Sequence, residues 1–276
     1  AIDLAKKQNA DLVIANDPDS DRLGIEVANN GKIVQLSGNE VGILLCDYVL
    51  SQRKAQGTLP QNPIIVKTIV TSAMVDKVAN NYGSEVTNVL TGFKYIGDVI
   101  NKLEDKGEQD RYVFGFEESC GYLAGSYVRD KDGVIAAVLI AECAAYYKKQ
   151  GKTLCDRLEE LYDQYGHYLL QTISYRFEGV DGSAVKQKLL NNIRSNPLTD
   201  IAGSKVVDYC DFTNQRLYDL PNSDVMRFNA EGGSQLIIRP SGTEPLIKCY
   251  ICVCGNKQSN DKSLADIKQQ LNKLFA

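Results

Sequence analysis

The sequence has no long apolar run, no excess of basic residues and a single histidine. Its most apolar stretch, residues 134–141, runs into Glu142 and falls well short of the roughly 20 residues that a membrane-spanning helix needs. The formal net charge of −4 argues against a surface for nucleic acid or for an anionic membrane. The histidine, His167, lies outside every motif described below, so we interpret it as structural.

A secretory signature is also missing. The first residues do not resemble a signal peptide, and the eight cysteines are scattered, so we expect reduced thiols in a cytoplasmic protein. Cys249, Cys252 and Cys254 crowd one strand-like segment, in which alternation puts Cys249 on the opposite face from the other two. A zinc site would need a fourth ligand at suitable spacing. None is evident, so these cysteines are expected to be small buried residues.

What is present is the composition of a globular protein. Hydrophobic residues at 43% and charged residues at 24% are ordinary, and 276 residues predict about two domains. Up to residue 166, helical and strand-like segments alternate, which predicts an α/β fold with a mostly parallel sheet and helices on its faces. From His167 onward strands follow strands, which predicts a small α+β domain.

The most informative segment is Asn-Asp-Pro-Asp-Ser-Asp-Arg at residues 16–22, which packs three carboxylates into five residues between two strand-like runs. At an effective dielectric near 20, two carboxylates about 4 Å apart repel by roughly 4 kcal/mol, so a cation is expected among them. An all-oxygen ligand set favours a hard cation such as Mg²⁺. The candidate metal ligands are Asp17, Asp19 and Asp21.

Two other interpretations apply to this segment. An EF-hand calcium loop needs glycine at its sixth position and glutamate at its twelfth. Counted from Asp17, these positions hold Arg22 and Ala28, which excludes it. A solvated acidic turn, in which aspartate and proline serve only as turn formers, stays open.

Two further segments suggest ligand binding. Residues 115–122 are predicted to form a loop after a strand at residues 112–114, and its Glu-Glu-Ser could bind the vicinal hydroxyls of a sugar or be an exposed turn or helix cap. In residues 239–245, Arg239 offers a planar fork for phosphate, Ser241 and Thr243 offer hydroxyl donors, and Gly242 permits close approach of the backbone. A capping turn between two strands is the alternative there.

Taken in order, the three segments resemble those of the α-D-phosphohexomutase family, which includes phosphoglucomutases and phosphomannomutases. Residues 91–97 and 129–133 also match, so the resemblance covers essentially the whole chain. The Phe-Glu-Glu-Ser form at residues 116–119 is most similar to the glucose-type branch.

The resemblance implies that the chain consists of three domain parts. Residues 1–28 would be the end of a second α/β domain with the metal loop, residues 29–166 a third α/β/α domain with the sugar loop, and residues 167–276 a C-terminal α+β domain with the phosphate loop. Family members carry their reactive serine in a first domain, in a Ser-His-Asn-Pro-like loop that does not occur here. We therefore expect a C-terminal part that is inactive alone and pairs with the missing N-terminal domains.

The implied reaction is reversible transfer of phosphate between O1 and O6 of glucose, mannose or both, through an enzyme phosphoserine and a glucose 1,6-bisphosphate-type intermediate. The Mg²⁺ would screen the transferring phosphoryl group, and Arg22 would steady it. Lys131 is predicted to accept the proton of the attacking hydroxyl, because burial among cations can lower a lysine pKa. A surface salt bridge with Asp130 or Asp132 is the alternative for Lys131.

The resemblance also implies residues for the remaining contacts. Those near the sugar are Glu117, Ser119, Lys94, Thr91 and Gly92. Those holding the phosphate that is not transferred are Arg239, Ser241, Gly242 and Thr243. An aspartyl-phosphate phosphatase and a non-catalytic protein that binds sugar phosphates remain alternative functions.

Overall fold

The helices and strands of the chain are grouped into two units. The computed structural model describes residues 1–179, 181–214, 217–242 and 244–275. Its two compact units are Ala1–Tyr165 and Gly166–Ala276. The assignment of residues 1–28 to the end of a separate preceding domain stays a prediction.

The first unit contains seven strands and six α-helices, all within described residues. The strands are β1 (Leu12–Asn16), β2 (Leu23–Asn29), β3 (Lys32–Leu36), β4 (Ile64–Thr68), β5 (Glu85–Val89), β6 (Tyr112–Glu117) and β7 (Gly121–Ala124). The helices are α1 (Ile2–Gln8), α2 (Gly38–Ala55), α3 (Met74–Asn81), α4 (Phe93–Glu104), α5 (Gly133–Lys148) and α6 (Leu154–Tyr165).

A four-stranded sheet forms the centre of this unit, in the order β5-β4-β6-β7. Strand β4 is parallel to both β5 and β6, and β7 is antiparallel to β6. Helix α4 covers one face, where Ile96 and Ile100 pack against Val66. Helix α2 covers the other face, where Gly42 lies directly on the ring of Phe116. The predicted α/β fold is confirmed, and the three parallel strands end at one edge, where such sheets bind ligands.

Strands β1, β2 and β3 form a second, antiparallel sheet. Leu23, Ile25 and Val27 of β2 are buried. The two sheets of the unit meet where the backbone N–H of Leu23 donates to the carbonyl of Cys120 at 3.0 Å. The segment between β1 and β2 therefore lies beside the segment between β6 and β7.

The second unit is the expected α+β arrangement. Its strands are β8 (His167–Arg176), β9 (Asp200–Ile201), β10 (Ser204–Asp211), β11 (Met226–Ala230), β12 (Gln235–Pro240) and β13 (Leu246–Gly255), and its helices are α7 (Gly182–Ser195) and α8 (Lys257–Phe275). The described strands form one antiparallel sheet in the order β8-β13-β12-β11-β10-β9. Both helices share one core with the sheet, which includes Leu190, Leu264, Phe228 and Ile251.

The predicted boundaries were wrong at two ligand-binding segments. Residues 115–117 belong to β6 and residues 121–122 to β7, so the predicted loop at 115–122 shrinks to three residues. Arg239 and Pro240 similarly belong to β12. Glycine and proline predicted turns in both places, but pairing with β4, β7 and β13 holds these residues extended. The short strands β3, β7, β9 and β11 were not predicted.

The cysteine prediction agrees with the structure for Cys249 and Cys252, which are buried, but not for Cys254, which is only partly buried. All eight cysteines are free. Cys249 joins the core beneath the helices, while Cys252 and Cys254 alternate to the opposite face of β13. None of the helices in the described part of the chain is both long enough and apolar enough to cross a membrane.

Candidate active site

Residues 17–22, here called the acidic turn, connect β1 to β2. Asp17, Asp19 and Asp21 each place one carboxylate oxygen within 4.8 Å of the others. The turn closes because the backbone N–H of Arg22 donates to Asp17 Oδ1 at 3.0 Å, and Ser20 adopts a left-handed backbone with φ of 59°. The structure therefore brings together the three carboxylates that the sequence singled out.

Two cations of the protein lie at these carboxylates. The Nε of Arg22 is 4.0 Å from Asp17 Oδ2 and 3.8 Å from Asp21 Oδ1. The Nζ of Lys131 is 2.9 Å from Asp21 Oδ2 and 2.9 Å from Asp130 Oδ1. Three carboxylates thus share two side-chain cations, and with the nearby Asp19 negative charge is in excess.

The residues of the acidic turn fit a bound Mg²⁺. Asp21 Oδ1 is buried and has no hydrogen-bond partner within the described residues, although a buried carboxylate oxygen normally has one. The donor set consists of carboxylate oxygens alone, which hard divalent cations prefer. A cation would ligate this oxygen of Asp21, which accepts no hydrogen bond, and neutralise the excess charge.

Lys131 lies in surroundings opposite to those predicted. Burial acts to lower the pKa of its ammonium, but its hydrogen bonds to Asp21 and Asp130 outweigh burial and raise that pKa. Carboxylates, not cations, surround the group. The lowered pKa on which its predicted role as proton acceptor depended is therefore wrong, and the salt bridge with Asp130 is present.

Residues 117–121, called the sugar turn after the ligand that the sequence predicts for it, connect β6 to β7. Glu117 is the last residue of β6, buried, and directly opposite Gly121, the first residue of β7. The hydroxyl of Ser119 donates to Glu117 Oε1 at 2.8 Å. Cys120 has a left-handed backbone with φ of 67°, which lets three residues reverse the chain. Glu117 and Ser119 thus form one polar pair at the carboxyl edge of the sheet.

The side chain of Lys131 connects the two turns. A Cβ at Gly121 would lie 2.3 Å from Lys131 Cδ and 3.0 Å from Glu117 Cγ, so the lysine chain passes directly over Gly121 beside Glu117. Its Nζ is also 5.6 Å from the centroid of the Phe93 ring. Only glycine leaves room at position 121 for a lysine that reaches from the sugar turn to Asp21.

The segment at the start of α4 contacts Lys131 through Phe93, which was not among the predicted site residues. Gly92 precedes α4 with φ of 117°, and Thr91 is half-buried. Lys94 is exposed, with its Nζ 4.9 Å from the ring centroid of Tyr95. No contact among the described residues joins Lys94 to Glu117. Phe93, which the sequence offered only as part of a matching segment, is the residue that contacts Lys131.

The predicted phosphate loop lies in the second unit. Arg239 is on the face of β12 away from the helices, and its Nη1 donates to the hydroxyl of Tyr250 at 3.5 Å. The backbone N–H of Glu244 donates to Ser241 Oγ at 3.2 Å. Apart from Gly242 and its chain neighbours, no heavy atom of the described residues lies within 4 Å of the point where a Cβ would stand on Gly242. Thr243 lies outside the described residues.

A lysine that no motif contained supports this loop. The Nζ of Lys186, on α7, donates to the carbonyl of Ser241 at 2.9 Å and to the carbonyl of Glu244 at 3.1 Å. Arg176 pairs with the Glu244 carboxylate at 3.1 Å. Sequence reasoning missed both cations because each lies more than 50 residues from the loop, and no local spacing connects them.

Comparison with known proteins identifies relatives of this chain in one family. Residues 37–165 match the model of phosphoglucomutase/phosphomannomutase, alpha/beta/alpha domain III. The chain is 36% identical to a phosphoglucomutase of Staphylococcus aureus strain bovine RF122 / ET3-1, over 100% of this chain and 49% of the relative. It is 39% identical to a Haemophilus influenzae protein named "Probable phosphomannomutase", over 98% of this chain and 52% of the relative.

Solved structures share the fold. The crystal structure of the exocytosis-sensitive phosphoprotein pp63/parafusin, a phosphoglucomutase from Paramecium in an open form, matches with a TM-score of 0.67 and 20% identity. The match covers 95% of this chain and 44% of that one. The chain spans about half the length of the curated relatives it matches.

Proposed function

The chain belongs to the phosphoglucomutase/phosphomannomutase family, and we therefore propose that it is the C-terminal portion of a phosphohexomutase. The proposed enzyme interconverts hexose 1-phosphates and hexose 6-phosphates of glucose, mannose or both. It works through an enzyme phosphoserine and a glucose 1,6-bisphosphate-type intermediate. The phosphoserine and the N-terminal domains belong to the part of the protein outside these 276 residues.

One observation carries this proposal. Lys131 contacts Asp21 of the acidic turn and passes beside Glu117 of the sugar turn. Carboxylates suited to a metal and acceptors suited to sugar hydroxyls are thus joined by a single cationic side chain. A hexose held by Glu117 would present its reacting oxygen near groups that stabilise phosphate charge. Phosphoryl transfer depends mainly on such positioning and charge stabilisation.

Each side chain has a proposed role in this arrangement. Asp17, Asp19 and Asp21 hold Mg²⁺, which when bound neutralises charge on the transferring phosphoryl group. Arg22, whose side chain is 51% exposed, is free to turn toward that phosphate. Lys131 contributes the positive charge of its ammonium to the transferring phosphate, and its hydrogen bonds to Asp21 and Asp130 raise the pKa of that ammonium.

The remaining roles concern the sugar and the second phosphate. Glu117 and Ser119 bind sugar hydroxyls, with Thr91, Gly92 and Lys94 in the adjoining segment. The group that holds the other phosphate consists of Arg239, Ser241, Gly242 and Thr243. Lys186 and Arg176 hold the described part of that loop in place. A cytoplasmic location and the absence of nucleic-acid and membrane partners stay predictions.

A second candidate is a non-catalytic protein that binds sugar phosphates. It is favoured by one observation, the lack of a Ser-His-Asn-Pro-like loop in these 276 residues. The phosphatase alternative has lost its support, because the family match accounts for the acidic turn and the sugar-turn segment together.

The test compares the full-length protein from the same gene with this 276-residue chain. Both are assayed with glucose 1-phosphate and with mannose 1-phosphate, in the presence of Mg²⁺ and a hexose 1,6-bisphosphate. We expect turnover by the full-length protein and none by the chain alone. A full-length protein that binds the sugar phosphates without converting them would establish the binding function instead.

A further inference from the structure

Two buried threonines are connected to the sugar turn through the side chain of Glu118. Thr68, the last residue of β4, and Thr71, in the segment that follows, are 0% and 3% exposed. Their hydroxyl oxygens are 2.7 Å apart. The hydroxyl of Thr68 also donates to Glu118 Oε2 at 3.1 Å. Glu118 is the middle residue of the Glu-Glu-Ser sequence and is half-buried.

The direction of these hydrogen bonds follows from the number of hydrogens. An ionised carboxylate only accepts, and a hydroxyl has one hydrogen to donate. Thr68 gives its hydrogen to Glu118, so the hydrogen between the two threonines comes from Thr71. The result is a one-way chain from Thr71 through Thr68 to the Glu118 carboxylate, in which each bond polarises the next.

The backbone of the sugar turn also packs closely against the start of α2. A Cβ at Gly38 would lie 2.2 Å from the carbonyl oxygen of Glu118 and 2.8 Å from the backbone nitrogen of Cys120. The hydroxyl of Tyr122 donates to the carbonyl of Gly38 at 3.1 Å. The turn therefore contacts the start of α2 through its backbone and Thr68 through the side chain of Glu118.

We propose that Thr68, Thr71 and Glu118 are positioning residues that hold the sugar turn so that Glu117 and Ser119 face a hexose. The inference rests on the proposed function for the identity of the ligand. Glu118 is tied to Thr68, whereas its two neighbours, Glu117 and Ser119, form a separate 2.8 Å hydrogen bond with each other. Holding Glu118 in place therefore fixes the backbone between Glu117 and Ser119.

The proposal gives different roles to the two adjacent glutamates, Glu117 and Glu118. Glu117, whose carboxylate accepts from Ser119, is the proposed sugar-binding residue, and Glu118, which accepts from Thr68, is the proposed positioning residue. Loss of the Thr68 hydroxyl would remove the hydrogen bond that ties the half-buried Glu118 carboxylate to β4, and a buried polar group that loses such a bond destabilises its surroundings. The turn would then sample orientations in which Glu117 and Ser119 no longer meet the same sugar.

The test uses the full-length protein with Thr68→Val, which keeps the side-chain shape, and Thr68→Ser, which restores the hydroxyl. Thr87→Val is the matched control, because Thr87 is half-buried on the neighbouring strand β5 and takes part in none of these bonds. We expect Thr68→Val to raise KM for hexose 1-phosphate about tenfold and to change kcat less. Thr68→Ser should return KM to near its original value.

Amide hydrogen exchange at residues 118–121 gives a readout that does not depend on turnover. Exchange there should become faster in Thr68→Val and stay unchanged in Thr87→Val, while affinity for inorganic phosphate stays the same. If Thr68→Val does not fold, Glu118→Gln, at a half-buried position, is measured in the same way. Unchanged exchange and unchanged KM would overturn the inference. Absence of turnover in the unaltered protein would instead count against the proposed function.

Discussion

The β1–β2 hairpin and the β6–β7 hairpin of the first unit have the same local design. Each follows a helix, α1 in one case and α4 in the other, and each turns through acidic residues. Each turn contains a non-glycine residue in the left-handed region, Ser20 with φ of 59° and Cys120 with φ of 67°. The two turns also touch, through a bridge between Arg22 and Gly121.

The hairpins differ in what covers them. All six residues of β6 are buried, between β7 and the parallel strand β4. Strand β1 pairs with β2 alone among the described residues, and its last three residues are exposed. A cleft of about 660 Å³ lies between β1 and α5, lined by Ile14, Ala141, Ala144 and Ala145 among others. An unpaired edge beside an apolar cleft is open to a further strand or helix.

The comparison shows that equal local geometry does not give equal burial. Strand β6 became a core strand because neighbours lie on both sides of it. The proposed function supplies a candidate neighbour for β1, namely the remaining part of the full-length protein. The predictions below test this difference between the hairpins, from the largest expected effect to the smallest.

The largest effect concerns stability. Phe114 and Ile14 are each the third residue of their strand, but Phe114 is fully buried and Ile14 is 38% exposed. Phe114→Ala should lower the free energy of unfolding by about 3–5 kcal/mol, and Ile14→Ala in the 276-residue chain by about 1 kcal/mol or less. Urea unfolding measures both.

The full-length protein sharpens this test. If a further part of the protein covers β1, Ile14→Ala will destabilise the full-length protein more than the chain alone. Equal effects in the two proteins would mean that β1 stays exposed in both.

The second effect concerns catalysis. Asp19 is exposed and is one of the three candidate metal ligands, so Asp19→Ala in the full-length protein should lower kcat by roughly 100-fold and weaken activation by Mg²⁺. Glu117→Gln should instead raise KM for the sugar phosphate, because Glu117 is proposed to bind hydroxyls. Steady-state kinetics over a range of Mg²⁺ concentrations separates the two.

Asp163→Ala is the control for Asp19→Ala, because Asp163 is an exposed aspartate of α6 away from both turns. It should leave kcat and KM unchanged. A loss of kcat in Asp19→Ala that Mg²⁺ concentration does not influence would contradict the metal assignment.

The smallest effect concerns pH. The carboxylate of Asp132 caps α5 by accepting from the backbone N–H groups of Val134 and Ile135, and Tyr127 donates to it as well. Burial acts to raise the pKa of Asp132, but these hydrogen bonds outweigh burial and lower it. Because the folded-state pKa is depressed, its stabilisation is present above about pH 4, the usual aspartate range, and is lost as the pH falls through the folded-state value.

Asp132→Asn keeps the helix cap and removes only the charge. At pH 7 it should lower the free energy of unfolding by about 0.3–1 kcal/mol, and the difference from the unaltered chain should shrink below pH 4. Urea unfolding at pH 3 to 7 measures it. The cap also matters to both hairpins, because Asp132 N–H donates to Tyr122 and Gly133 N–H donates to Ser20. A difference that grows toward low pH would contradict the assigned sign.

The sequence predicted the extent of the acidic turn better than that of the sugar turn, for a physical reason. Asp17, Asp19 and Asp21 are so close along the chain that any tight turn gathers them. The sugar turn depends on strand pairing, and glycines at positions 115 and 121 suggested a longer loop than the sheet allows. The surroundings of Lys131 were out of reach as well, since its partner Asp21 lies far away along the chain.

By itself the sequence determined the alternation of helices and strands, the metal-suited carboxylates and the glutamate–serine pair, because these follow from the spacing of neighbouring residues. Only the tertiary structure showed that the two adjacent glutamates have different partners, Ser119 for Glu117 and Thr68 for Glu118, since Thr68 comes from another strand. It also decided that Lys131 lies between carboxylates and is held protonated. Charge environment is a property of packing, and packing brings together residues that the chain keeps apart.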